Sequence, residues 1–166
     1  MSAEVQVSQA SEGDAEAPTS STTPEKEEEV KLNRKNLEQL VRDMVVKWTD
    51  NLNLRDWDIT VYILEEELPD SCDKENAAAC VYHDFGHHIA EVYLLHPDKW
   101  SDIKGGFWND KDESFIETIL VHELLHIHFS HHHPIKNSWA LEREELAINQ
   151  LTKAFIRLDN QIKEKG

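Results

Sequence analysis

Apolar residues recur at helical spacing from about residue 36 onward. They predict an amphipathic helix whose apolar face is formed by Leu37, Leu40, Val41, Met44, Val45 and Trp48. Residues 57–63 instead alternate apolar and polar side chains, and this period of two predicts a half-buried strand. Two further β-like runs, 78–82 and 89–95, flank residues 84–87 and predict a hairpin with Gly86 in its turn.

Two more helices are predicted in the second half of the chain. The first runs from about residue 114 to Phe129, with Ser114 and Glu117 spaced as a capping box at its start. Its surface is apolar on nearly every side, which predicts a buried helix. The last helix begins near Ser138 or Asn137, after Pro134, and continues nearly to the C-terminus.

This order of elements predicts an α+β fold in one domain, residues 31–166. We expect a small mixed sheet of three to four strands packed on the buried helix, with one helix before the sheet and one after it. Residues 1–30 contain no aromatic residue and hold eight of the acids against one base. A segment of this composition buries too little apolar surface to fold, so we predict a disordered acidic tail.

The net charge of the chain argues against one class of binding partner. Lys and Arg number 17 against 33 Asp and Glu, a net charge of −16, which argues against binding to a nucleic-acid backbone. Neither a signal peptide nor a run of 18 apolar residues is present, so we expect a cytoplasmic protein without membrane contact. We also expect it to be a monomer. Cys72 and Cys80 are too few for a disulfide scaffold and are expected to be reduced.

The chemistry of the sequence is concentrated in its histidines, of which six of ten fall between His122 and His133. Residues 122–126 read His-Glu-Leu-Leu-His on the predicted buried helix. The imidazoles of His122 and His126 lie one turn apart on the same face and can converge on one zinc ion per chain. Glu123 then lies beside the open coordination position, where it can take a proton from an activated water.

A catalytic zinc ion also needs a third protein ligand. Glu144 is the preferred residue, because Ile148, Leu151 and Phe155 follow it at helical spacing and its side chain should face inward. Glu145 could take the same place after a slight rotation of the helix, whereas Glu142 is off the apolar stripe. His132 is the other alternative, although Phe129 stands where a glycine would let the chain turn back toward the metal.

On these residues the chain resembles the zincin metallopeptidases, in particular small gluzincin-like members that include phage and prophage proteins. The resemblance covers about residues 57–158 and is carried by the hairpin, the segment 119–126 and the segment 144–151. It implies that the strand before the active-site helix, residues 89–95, is an edge strand that pairs with an extended peptide. It also implies an oxyanion-stabilising Tyr or His, for which Tyr82, Tyr93 and His131 are candidates by residue type only.

We therefore expect a zinc metallopeptidase, an endopeptidase, that acts on a peptide or protein substrate with Glu123 as general base. Two alternatives stay open at this point. The first is a zinc-stabilised binding protein that keeps a zincin fold without peptidase activity. The second is an acidic interaction protein whose surface binds a basic host factor.

Overall fold

A computed structural model of the chain describes residues 34–72, 77–102, 113–129 and 139–165. In these ranges three helices and three strands form an α+β fold, as the sequence predicts. Their order is α1 (Arg34–Asn51), β1 (Asp58–Leu64), β2 (Ala79–Asp84), β3 (Ile89–Leu95), α2 (Glu113–Phe129) and α3 (Trp139–Lys163), with one short 3-10 helix at Pro97–Asp102. The predicted tail, residues 1–30, lies outside the described residues, so the predicted domain boundary stays a prediction.

The three strands form one mixed sheet with the order β1-β3-β2. β3 pairs in parallel with β1, from Asp58 opposite Ile89, and antiparallel with β2, from Ala79 opposite Leu94. Residues 89–95 are therefore the central strand of the described sheet, and the expectation that they form its edge is wrong. β1 and β2 are the two outer strands, because the hairpin places β2 on the side of β3 that β1 does not occupy.

The hairpin between β2 and β3 confirms the predicted turn. Asp84 organises it, since its carboxylate accepts hydrogen bonds from the Gly86 and His87 backbone N–H groups at 2.8 and 3.3 Å. The left-handed conformation of the turn falls on His88, with φ of 53°, and not on glycine. Gly86 leaves space for the Asp84 carboxylate, since a Cβ atom there would lie 3.2 Å from Asp84 Oδ1 and the carboxylate would have to shift slightly.

The helices α1 and α2 pack on one face of the sheet, with α1 against β1 and α2 against β2 and β3. The strand residues that point to this face belong to the core, and Ala90, Val92 and Leu94 of β3 are almost fully buried. α2 is buried as predicted, because its apolar side chains contact both the sheet and the neighbouring helices. No described helix is long and apolar enough to cross a bilayer.

Glu117 has a different role from the predicted capping box. α2 begins at Glu113, so Ser114 already lies inside the helix. The Glu117 carboxylate is buried, and it accepts hydrogen bonds from Trp48 Nε1 at 2.8 Å and from Lys47 Nζ at 2.6 Å. Lys47 also donates to Asp159 at 2.6 Å, and this cluster connects α1, α2 and α3. The Glu117 carboxylate therefore bonds to Lys47 and Trp48, which are distant in sequence, and not to the backbone at the start of its own helix.

The two cysteines also differ from expectation, because Cys72 and Cys80 form a disulfide. It joins the segment after β1 to β2, and within the described residues no free cysteine remains. Their separation of eight residues gave no signal for this pair. The tertiary structure brings them together: Cys80 lies on β2 opposite Tyr93 of the central strand, and its Cα lies 6.1 Å from that of Cys72 in the segment after β1.

Candidate metal centre

Two histidines of α2 point to the same side of the helix. His122 Nε2 lies 3.2 Å from His126 Nε2, and the two rings meet edge to face with centroids 4.9 Å apart. This follows from the helix itself, because residues four apart are stacked on one face. Glu123, the next residue after His122, is buried.

The third member of the cluster comes from α3. Glu145 places Oε2 at 3.4 Å from His122 Nε2 and Oε1 at 3.4 Å from His126 Nε2, so one carboxylate spans both rings. Among the described residues these three side chains form the group whose donor atoms lie close enough to share a metal ion. The structure thus brings together His122 and His126, as predicted, with Glu145 instead of the preferred Glu144.

Glu144 is close to the same cluster but on its other side. Its Oε1 lies 3.7 Å from Nδ1 of His126, the ring nitrogen that faces away from the group. The side chain of Glu144 is 13% exposed and that of Glu145 is 41% exposed. The Glu144 side chain therefore points inward, as predicted, but its carboxylate lies beside Nδ1 of His126 and not beside the Nε2 atom that faces His122. The Nε2 atoms meet the more exposed glutamate.

The two histidines differ in their protonation. Burial lowers the pKa of His122, but hydrogen bonds with Glu145 and Asn149 and the nearby carboxylates outweigh it and leave the pKa above its usual 6.5. Burial lowers the pKa of His126 to about 4. The charges of His122 and His83 lower it further, and together these effects outweigh the opposite effect of Glu145. His126 is therefore uncharged near neutral pH, and His122 donates a hydrogen bond to Glu145.

The two glutamates of the site also differ. Burial raises the pKa of Glu123 to about 7, although the charge of His122 acts against this shift. The hydrogen bond from His122 lowers the pKa of Glu145 below its usual 4.5 against the cost of burial. The Glu145 carboxylate is therefore ionised at neutral pH, whereas Glu123 has a pKa close to neutral pH.

Two residues near the cluster were missed by the sequence reasoning. Asn149 hydrogen-bonds to His122 and follows Glu145 by four residues, so helical spacing would have found it. His83 lies on the helix-facing side of β2, where its charge acts on His126, and its ring contacts Phe85 at 5.1 Å between centroids. His83 could have been found from the sequence, because it is two residues after the apolar Val81 and therefore lies on the same face of the strand.

Other sequence candidates lie elsewhere. Tyr82 and Tyr93 occupy the face of the sheet opposite to α2, since they alternate with the core residues Val81 and Val92. Neither is therefore beside the cluster. Glu142 is exposed on α3. His131 and His132 lie outside the described residues.

The spacing of the donor atoms fits a tetrahedral metal ion. Zinc binds imidazole nitrogen and carboxylate oxygen at about 2.0–2.2 Å, which separates neighbouring tetrahedral ligands by roughly 3.3–3.5 Å. The observed separations are 3.2, 3.4 and 3.4 Å. Two imidazoles and a carboxylate are also a donor set that zinc uses at catalytic centres. The residue types and their spacing could therefore hold a metal ion of this geometry.

Comparisons with protein-family models, with curated proteins and with solved structures gave no match.

Proposed function

We propose that the protein is a zinc-dependent metallopeptidase in which His122, His126 and Glu145 hold the metal and Glu123 is the general base. One observation carries this proposal: three donor atoms at zinc-ligand spacing stand next to a buried glutamate in the order His-Glu-x-x-His. A bound zinc ion would polarise a peptide carbonyl and acidify a water molecule.

Glu123 supplies the proton transfer in this proposal. A general base works best when its pKa is near the working pH, and burial raises the pKa of Glu123 to about 7. The carboxylate takes a proton from the attacking water and then donates it to the leaving amine. Glu145 cannot fill this role, because His122 keeps its pKa low and both its oxygens face the histidines.

The strand next to the active-site helix suggests how a peptide would bind. β2 packs against α2 and pairs only with β3 among the described strands. An extended peptide can add to such an edge through backbone hydrogen bonds, while its side chains reach pockets on alternate sides. In this zincin-like arrangement β2, instead of the predicted residues 89–95, is the strand that receives the substrate.

Substitution of Glu123 by glutamine tests the mechanism. Glu123→Gln keeps the size of the side chain and removes its ability to accept a proton, so zinc content should stay at one per chain while peptide cleavage falls by about 10²–10⁴-fold. Zinc is measured by mass spectrometry of the purified protein, and cleavage with a fluorogenic peptide library. Glu142→Gln, on the exposed side of α3, is the matched control and should cleave as the unaltered protein does.

A chelator separates the proposal from a binding protein. If removal of zinc abolishes cleavage and its return restores it, the metallopeptidase proposal stands. If zinc stabilises the fold but no peptide in the library is cleaved, the chain is instead a zinc-stabilised binding protein. Cleavage by Glu123→Gln at the normal rate would overturn the assigned base.

A further inference from the structure

The register places eleven side chains on the face of the sheet that points away from α2, and nine of them, beyond Leu64 and Leu95 at one end, form three rows. The register places Tyr62, Tyr93 and Cys80 in the first row, Thr60, Glu91 and Tyr82 in the second, and Asp58, Ile89 and Asp84 in the third. These nine residues are called the outer sheet face below. The residues that alternate with them point to the core instead.

Three tyrosines form a continuous aromatic surface on the outer sheet face. The rings of Tyr62 and Tyr93 stack at 5.2 Å with an angle of 19° between their planes, and Tyr82 meets Tyr93 edge to face at 5.8 Å. Tyr62 is 41% exposed and Tyr82 is 37% exposed. Ring surface of two tyrosines is therefore open to solvent on either side of the more enclosed Tyr93.

The charge on the outer sheet face has one sign. Asp58, Asp84 and Glu91 are among its nine residues, and none of the nine is Lys, Arg or His. Glu91 lies in the middle row, and its carboxylate accepts a hydrogen bond from the Tyr93 hydroxyl at 2.8 Å. Three exposed glutamates, residues 65–67, follow directly after β1. Glu91 thus lies beside the tyrosine rings, whereas Asp84, at the far end of the face, is paired with the His87 ring at 2.8 Å.

We infer that the outer sheet face binds a cationic segment of a partner protein, with arginine or lysine side chains over the rings of Tyr62 and Tyr82 and Glu91 as their counter-charge. Both contacts are favourable for a cation, since an aromatic face attracts it and a carboxylate pairs with it. Arginine suits the site best, because its planar group stacks on a ring and donates to a carboxylate at once.

The same charges disfavour other occupants. Stacked aromatic rings also bind single-stranded nucleic acid, but such sites add basic residues that follow the phosphates, and this face has carboxylates in their place. A second copy of the chain would bring the same negative face and the same net charge of −16 against it. Charge complementarity therefore selects a basic peptide.

This inference is independent of the proposed function. The outer sheet face and α2 lie on opposite sides of the sheet, so a segment bound there does not cover the cluster of His122, His126 and Glu145. The partner could bring a substrate to the protein or hold the protein in a complex. Loss of zinc from the cluster should leave binding at the outer sheet face unchanged.

The experiment is an NMR titration of the full-length chain, with and without zinc, with acetylated tetra-arginine amide. The expected result is shifts of the Tyr62 and Tyr82 ring signals that saturate and weaken with salt, at the same affinity in both preparations. Tyr62→Thr and Tyr82→Thr keep a residue suited to strands and should each weaken binding roughly two- to fivefold. Glu91→Gln should weaken it similarly while keeping an acceptor for Tyr93.

Three controls give results that would contradict the inference. Glu142→Gln removes one charge from α3, and an equal loss of affinity there would show that tetra-arginine binds the net charge without a site. Saturable shifts of the same tyrosine signals with tetra-glutamate or with a decamer of thymidylate would assign the face to another ligand. Because Glu91→Gln preserves side-chain shape, it decides the result even if a tyrosine variant fails to fold.

Discussion

His126 Nε2 lies 3.4 Å from Glu145 Oε1, across the contact between α2 and α3. One helix thus supplies two donors of the candidate metal centre and another helix supplies the third. Any affinity of this cluster for a metal ion therefore depends on how α3 is packed and rotated against α2, as well as on the motif itself.

Removal of each adjacent glutamate in turn should separate a ligand from a supporting residue. Glu145→Ala removes a donor and should weaken zinc binding by more than about 100-fold, beyond the range for groups that only orient a ligand. Glu144→Ala removes only the carboxylate near His126 Nδ1 and should cost about 10- to 100-fold, as for other groups that orient a ligand. Competition with a chromophoric chelator measures both constants. The opposite order would make Glu144 the ligand.

The metal-free protein should lose stability as the pH rises because Glu123 is buried. The folded pKa of Glu123 is about 7, above its ordinary 4.5, so between these values the folded state binds more protons than the unfolded state. Its stabilising effect is complete below about pH 4.5 and is lost as the pH rises through 7. In Glu123→Gln this loss is absent.

The comparison is made by urea unfolding in the presence of a chelator at pH 4.5 and at pH 8. The free energy of unfolding of Glu123→Gln, relative to that of the unaltered chain, should rise by up to about 3 kcal/mol between the two pH values. A difference that stays constant would show that Glu123 is ionised without cost in the folded protein.

The cluster around Lys47 should matter more than an exposed ion pair. Lys47 Nζ contacts Glu117 and Asp159 at 2.6 Å, and both carboxylates are largely buried. Lys47→Met should lower the free energy of unfolding by about 1–3 kcal/mol, less than for a fully buried pair because Lys47 is partly exposed. The control is Arg55→Ala, whose pair with Asp50 is exposed and should contribute less than about 1 kcal/mol. Equal effects would contradict a structural role for Lys47.

Reduction of the disulfide should destabilise the protein modestly. The bond between Cys72 and Cys80 closes a loop with a sequence separation of eight, and loop-closure entropy of that size corresponds to about 2.5 kcal/mol. The protein is first equilibrated with oxidised glutathione so that the bond can form. Urea unfolding with and without dithiothreitol then measures the difference in the free energy of unfolding. The double variant Cys72→Ser, Cys80→Ser should not respond to dithiothreitol. Two reactive thiols per chain before reduction would show that the bond does not form.

Local patterns in the sequence determined much of the fold. Helical periodicity predicted α1 and α3, and a long, almost wholly apolar segment predicted α2. Alternation with a turn sequence predicted β1 and the hairpin, with bounds within two residues for each strand. The pair His122 and His126 was predictable for the same reason, because four residues of helix fix their separation. These features depend on neighbours in the chain.

Tertiary structure alone decided which partners meet across the fold. The sequence could not place residues 89–95 at the centre of the sheet, pair Cys72 with Cys80 or direct Glu117 to Lys47, since each depends on chain segments that pack from elsewhere. Glu144 and Glu145 are the clearest case. They are adjacent on α3, about 100° apart around its axis, and only the packing of α3 on α2 determines which one faces the two Nε2 atoms.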